Sequence, residues 1–159
     1  MRILVIGAPK SGKTKFAKAK AEERGIKLLD NLPKKYITKT GLALGRISDY
    51  RVDVMFAAHT MELENKHKED GYVITSGPLY TLSHFAMKAN YVDTEDQDTL
   101  NRILWTSVFL SQVVQDSLWY DEMYYLPYEG NDEYSRALDK SIRQIMVDRD
   151  ILSKVTRVE

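Results

Sequence analysis

Residues 2–14 read Arg2-Ile3-Leu4-Val5-Ile6-Gly7-Ala8-Pro9-Lys10-Ser11-Gly12-Lys13-Thr14, and their reading decides the fold. Residues 2–6 are a short, continuous, largely β-branched apolar run stopped by Gly7, the pattern of a parallel strand buried on both faces. Gly7 to Thr14 then matches Gly-x-x-x-x-Gly-Lys-[Ser/Thr] at every fixed position. The chemistry asks for those residue types. Glycines let the backbone curl so that successive N–H groups face a phosphate, and the helix that follows turns its positive N-terminal end toward it. Lys13 supplies a mobile charge near the β- and γ-phosphates, and Thr14 a hydroxyl for Mg²⁺. Gly7, Ala8, Pro9, Lys10, Ser11, Gly12, Lys13 and Thr14 are therefore the expected nucleotide-binding residues. With glycine at about 7% of residues, an accidental match arises in roughly one chain of this length in a few hundred.

Outward from the loop, the chain alternates strand and helix signals. Residues 13–24 have helix-forming composition, and Gly25 stands where a C-cap glycine belongs. A second strand spans 26–29, and Asp30-Asn31-Leu32-Pro33 ends it as a turn. From residue 48 to 68, Tyr50, Val54, Ala57 or Ala58, and Met61 recur at helical spacing between charged residues. A third strand follows at 72–75, then a helix opened by Ser76-Gly77-Pro78 with Leu79, Leu82, Phe85, Ala86 and Ala89 facing inward. An acidic connector at 93–98 precedes a helix expected to be substantially buried through Leu100, Ile103, Leu104, Val108 and residues 110–114. A fourth strand at 123–126, a helix at 134–148 and a fifth strand at 151–158 complete the chain. Strands separated by helices imply crossovers and a mostly parallel five-stranded sheet in a three-layer α/β domain.

The 159 residues suit one domain spanning 1–159. Lys plus Arg number 23 and Asp plus Glu number 23, so no general attraction to nucleic acid or acidic lipid is expected, although Lys34, Lys35 and Lys39 could form a local patch. Cysteine is absent, which excludes disulfides, Cys-ligated zinc and thiol catalysis and fits a reducing cytoplasm. The longest apolar runs fall far short of the roughly 18 residues of a membrane-spanning helix, and the N-terminus enters a strand directly rather than a signal peptide.

A nucleotide-binding loop serves switches, motors and kinases alike. The chain lacks an Asn-Lys-x-Asp guanine signature and a strand running into Asp-Glu, which leaves small-molecule kinases as the best class. On the loop at 7–14 and the order of elements, the chain resembles P-loop kinases of the nucleoside and nucleotide kinase group, including compact ribosylnicotinamide kinase-like domains. The resemblance implies a five-stranded parallel sheet, an acceptor bound over the carboxyl ends of the strands, and a mobile arginine-bearing lid. It places that lid at residues 127–136, directly after strand four, with Arg136 stabilising charge on the transferred phosphoryl; Arg136 is equally an exposed helix residue. It also places a carboxylate at Asp30, where related kinases accept the acceptor hydroxyl proton; Asp30 is equally a turn residue. The implied cofactors are ATP and Mg²⁺, and the implied acceptor is a nucleoside, nucleotide or related hydroxyl compound. Two alternatives stand beside it: a kinase of hydroxymethylated pyrimidine bases in DNA, which phage-type P-loop proteins resemble, and a nucleotide-binding switch without turnover. The chain departs from the group at the end of strand three, where Thr75 and Ser76 occupy the place of an acidic residue that holds Mg²⁺ through water.

Among the remaining polar residues, Asp49 and Arg51 stand at the start of the long helix, either as helix cap and solvated charge or at the mouth of the acceptor pocket. His59, His67 and His84 lack zinc-ligand spacing and read as surface or pocket-wall residues. Trp105, Phe109, Trp119 and Tyr120 read as core. Tyr124, Tyr125 and Tyr128 are candidates for stacking on a base, and Asp93, Glu95, Asp96 and Asp98 for solvated helix-start charge.

Overall fold

In the computed structural model, residues 1–29, 50–75, 77–89, 96–117 and 120–159 are described. In chain order they form β1 (Arg2–Gly7), α1 (Lys13–Arg24), β2 (Lys27–Leu29), α2 (Tyr50–His67), β3 (Tyr72–Ile74), α3 (Pro78–Ala89), α4 (Gln97–Ser117), β4 (Glu122–Leu126), α5 (Glu133–Asp148) and β5 (Thr156–Arg157). The strands lie in one sheet in the order β2-β3-β1-β4-β5, and every neighbouring pair is parallel. Leu4 is level with Ile74 on one side and Met123 on the other, so β1 sits at the centre and carries its following loop over the sheet's carboxyl edge.

The continuous apolar run of β1 is explained by cover on both faces. Ile3 and Val5 pack with Ala17 and Ala21 of α1, while Leu4 and Ile6 belong to the larger core with Phe56, Leu79, Phe85, Leu110, Leu138 and Ile142. The three layers are thus α1, the sheet, and the α2–α5 group. Helix α1 ends at Gly25, whose N–H reaches the carbonyls of Ala21 and Glu22. Helix α5 begins at Asp132, whose side chain accepts the Ser135 N–H at 3.0 Å. Asp96 starts α4 similarly, accepting from the Thr99 hydroxyl at 2.6 Å and the Asp98 N–H at 3.2 Å.

Three expectations need correction. The fifth strand is only Thr156–Arg157, because Leu152–Lys154 closes into a 3₁₀ turn before it. The buried side of α2 is not apolar throughout: Asp53, Thr60 and Glu64 are buried beside Phe56 and Ala57, while Val54 and Met61 are half-buried and Ala58 exposed. Each carboxylate there has dedicated partners, which is what permits burial. Glu64 accepts from the Tyr72 and Tyr120 hydroxyls at 3.1 and 2.5 Å, and Asp53 takes the Lys88 ammonium at 2.6 Å. Finally, α4 buries Leu110, Val113 and Val114 but leaves Leu104, Trp105, Val108 and Phe109 exposed, at 54, 75, 63 and 41%. Trp105 and Phe109 are therefore not core; Trp119 lies outside the described residues. Among the described residues no helix is long and apolar enough to cross a membrane.

Candidate functional site

The turn between β1 and α1 is built around two left-handed residues, Lys10 at φ 66° and Gly12 at φ 87°. Gly12 needs that freedom; Gly7 is required for a different reason. A Cβ on Gly7 would stand 2.5 Å from Ser11 Oγ and 2.8 Å from the Leu126 carbonyl, so the chain passes β4 only without a side chain. Helix α1 then starts with no side chain capping its N-terminus and no acidic residue in its first turn. Its free N–H groups and dipole present an open anion site, beside which the buried Ser11 hydroxyl has no partner among the described residues.

Lys13 turns back over this loop. Its ammonium donates to the Gly7 carbonyl at 2.9 Å and sits 4.3 Å from the centre of the Tyr80 ring. Burial lowers its pKa from 10.5 to about 8; among the described residues the ammonium faces a carbonyl and an aromatic ring but no carboxylate. Thr14 is exposed in the same helical turn, free to offer its hydroxyl to a metal.

Tyr80 connects the loop to a polar cluster that sequence patterning did not single out. Its ring stacks with that of His84, centroids 6.3 Å apart. His84 Nε2 meets the Tyr134 hydroxyl at 2.5 Å and its Nδ1 lies 3.7 Å from Asp53 Oδ1. Asp53, His84 and Lys88 are all buried, and among the described residues Asp53 Oδ1, His84 Nδ1 and Thr81 Oγ1 have no hydrogen-bond partner. Burial, then the charge of Asp53, pushes the Tyr134 phenol up to about 12. The available signal was the spacing of Tyr80, His84 and Lys88, four residues apart on an otherwise apolar helix. His84 is thus a buried bridge between α2 and α5 rather than a surface histidine.

Residues 127–136 border the loop. Lys10 approaches Asp132 at 3.8 Å, and Arg136 is exposed with Nε donating to the Gly130 carbonyl at 3.0 Å. The Tyr128 hydroxyl accepts the Asp132 N–H at 3.0 Å, so its ring lies inside this turn. Asp139 Oδ1 accepts both the Tyr128 N–H at 3.2 Å and the Tyr125 hydroxyl at 2.6 Å. Tyr125 is buried in the core and Tyr124 packs on Phe16 at 5.1 Å, on the α1 side of the sheet. These tyrosines therefore do not form a base platform. A cavity of about 290 Å³ lies instead between Ser11, Pro127, Glu129, Arg157 and Glu159.

Asp30 and Asp49 lie outside the described residues, as do Lys34, Lys35, Lys39, Ser76, Asp93 and Glu95; Arg51 falls in the first turn of α2, its side chain outside them. Thr75 follows β3 and is buried, its N–H donating to the Leu29 carbonyl at 3.2 Å, so the backbones of β2 and β3 end together. Among the described residues no cluster of three His, Asp or Glu could hold a metal on protein ligands alone. A Mg²⁺ ion that keeps water and phosphate oxygens as ligands needs no such cage, and Thr14 fits that mode.

No family model matches the sequence, and no curated protein aligns with it. Solved structures do. A NadR protein in complex with NR superposes with a TM-score of 0.77 at 11% identity, over 98% of this chain and 43% of its own. A NadR protein in complex with NAD and AMP-PNP gives 0.77 at 10%, over 99% and 44%. Deoxyadenosine kinase from M. mycoides with bound dATP gives 0.69 at 12% identity, over 100% of this chain and 91% of its own. The chain has the fold of a P-loop nucleoside kinase. It spans less than half the length of the NadR chains and nearly the whole of the deoxyadenosine kinase. At 10–12% identity the likeness extends to the path of the backbone, and the chemistry rests on this chain's own residues.

Proposed function

We propose that the chain is an ATP-dependent phosphotransferase whose acceptor is a hydroxyl of a nucleoside, nucleotide or related compound. The observation that carries this reading is the loop at Gly7–Thr14: an uncapped helix N-terminus under a desolvated Lys13 that has no carboxylate partner among the described residues. The α1 N–H groups and Lys13 hold the triphosphate, and the cavity beside Ser11 and Arg157 accommodates the donor base. Thr14 would hold a Mg²⁺ ion, which would supply charge neutralisation to the triphosphate. The acceptor oxygen forms a bond to the γ-phosphorus as the bond to the β-phosphate oxygen breaks, and the acceptor proton passes to Asp30. Arg136 faces the phosphoryl group when the segment 127–136 closes as a lid over a single domain, and Asp49 and Arg51 line the acceptor entrance.

A second reading, a nucleotide-binding module without turnover, is favoured by one feature: Thr75 stands where a metal-orienting carboxylate would. Transfer of labelled γ-phosphate from ATP to nucleosides, nucleotides and duplex DNA bearing hydroxymethylated pyrimidines separates the readings. The proposal expects product with a free nucleoside or nucleotide and a loss of about a hundredfold or more in Lys13→Ala. Arg136→Ala should depress transfer while nucleotide affinity is kept, because its contact forms in the transition state. Tight ATP binding with no phosphorylated product across the panel refutes the kinase reading; product with the DNA alone replaces the acceptor class.

A further inference from the structure

Lys13 Nζ lies over the Tyr80 ring, 4.3 Å from its centre, and 2.9 Å from the Gly7 carbonyl oxygen, so a carbonyl and an aromatic face together hold the ammonium. At this distance the negative face of the ring attracts the cation. Lys20 makes a useful contrast: it also lies near rings, 5.8 Å from Phe16 and 5.2 Å from Tyr124, but it pairs with the Glu23 carboxylate at 3.1 Å. Neither contact described for Lys13 carries a charge. A carboxylate partner would cancel the field of Lys13 and would have to be displaced by an incoming anion, whereas a neutral ring fixes the ammonium and leaves its charge available. Burial pushes the Tyr80 phenol up, with Tyr134 acting in the same direction, so the ring stays neutral.

The ring is itself held in place. Tyr80 is buried, and its plane lies 14° from that of His84, one helical turn along α3. His84 Nε2 meets the Tyr134 hydroxyl at 2.5 Å, and its Nδ1 lies 3.7 Å from Asp53 Oδ1. Groups from α2, α3 and α5 thus fix the surface on which Lys13 rests. A lysine stem loses much rotamer freedom when it is ordered, and ordering it before the ligand arrives removes that cost from binding. The ammonium has three N–H groups and uses one on Gly7, so it can meet phosphate oxygens without leaving the ring.

We propose that Tyr80 is a positioning residue, its π face holding the Lys13 ammonium over the phosphate loop. The proposal rests on the reading of Lys13 as a ligand of the triphosphate, and the test separates the two. Calorimetry with inorganic tripolyphosphate, without metal, reads the contribution of Lys13 in the absence of donor base, acceptor and turnover. Lys13→Met should weaken binding about tenfold or more. Tyr80→Phe keeps the face and should stay within about twofold of wild type, whereas Tyr80→Leu should lose about two- to thirty-fold. Replacing Tyr80 by a ring-trifluorinated phenylalanine keeps the shape of Phe while drawing charge from the face, and should show that loss even where Tyr80→Leu fails to fold. In the Lys13→Met background neither change should weaken binding further. Equal losses in both backgrounds would mean that Tyr80 only supports the fold, and overturn the proposal; so does a trifluorinated protein that binds as Tyr80→Phe does. Wild type that does not bind tripolyphosphate, or Lys13→Met that keeps wild-type affinity, removes the triphosphate role of Lys13 and the proposal with it. The contact is also read without ligand: in ¹³C-lysine NMR the ε-methylene signal lost in Lys13→Met should be shifted upfield by ring current in wild type and Tyr80→Phe. A wild-type signal at the position of exposed lysines overturns the contact.

Discussion

If Lys13 holds a triphosphate as proposed, it should take up a proton on binding, and the amount follows from its setting. In the nucleotide-free loop the ammonium is buried against the Gly7 carbonyl and the Tyr80 ring, which lowers its pKa to about 8. A triphosphate would replace lost solvation with negative charge and raise the pKa back toward the ordinary 10.5. At pH 9 the free protein then holds about one-tenth of this proton and the complex more than nine-tenths, so uptake is close to 0.9 per nucleotide; at pH 8 it is about 0.5 and at pH 7 under 0.1. The nucleotide adds nothing at these pH values, since its last phosphate pKa is near ~6. Titration calorimetry in buffers of different ionisation enthalpy reads the uptake as the slope of apparent enthalpy, and Lys13→Met should abolish it. The same shift sets a stability trend. The unfolded chain keeps this proton up to about 10.5 and the folded chain only to about 8, so between those values the unfolded state binds more protons. Stability of the nucleotide-free protein therefore rises with pH across that window, from this group. A slope of zero at pH 9 in wild type, or an equal slope in Lys13→Met, refutes the reasoning.

Three further outcomes are expected. Lys88→Met leaves the buried Asp53 carboxylate, among the described residues, only His84 Nδ1 at 3.7 Å; it should cost about 3–5 kcal/mol in urea unfolding, and Asp53→Asn/Lys88→Met should recover much of that. Glu64 is pushed up to about 6, first by burial, with the hydroxyls of Tyr120 and Tyr72 pulling it down. Its folded pKa exceeds the unfolded 4.5, so its contribution is full below about 4.5 and fades as pH rises through 6, and Glu64→Gln should flatten unfolding midpoints across that window. Gly7→Ala must displace Ser11 or the Leu126 carbonyl; binding of an ATP analogue should weaken at least tenfold while the far-ultraviolet spectrum is kept, and unchanged affinity speaks against the close approach.

Much of this protein was legible in one dimension because the controlling interactions are local. A strand covered on both faces has to be apolar where it is buried, as residues 3–6 are, and the loop after it must contain glycine at 7 and 12 for reasons of backbone geometry alone. Element order follows from breakers such as Gly25 and the cap at Asp132, which act within four residues. The strand order β2-β3-β1-β4-β5, the backbone likeness to nucleoside kinases, and the partners of buried charge are different in kind. Asp53 and Lys88 are 35 residues apart, and His84 and Tyr134 50 apart. A charged residue on a helix reads as solvent-facing until its counter-charge arrives from another element, because burial without that partner is too costly. Conversely Trp105 and Phe109 read as core because hydrophobicity signals a preference for burial but does not say whether the same chain supplies the cover. The nucleotide loop was thus set by the sequence alone, while the Asp53–His84–Tyr134 cluster beside it and the uncovered face of α4 were decided only where separate helices meet, or do not.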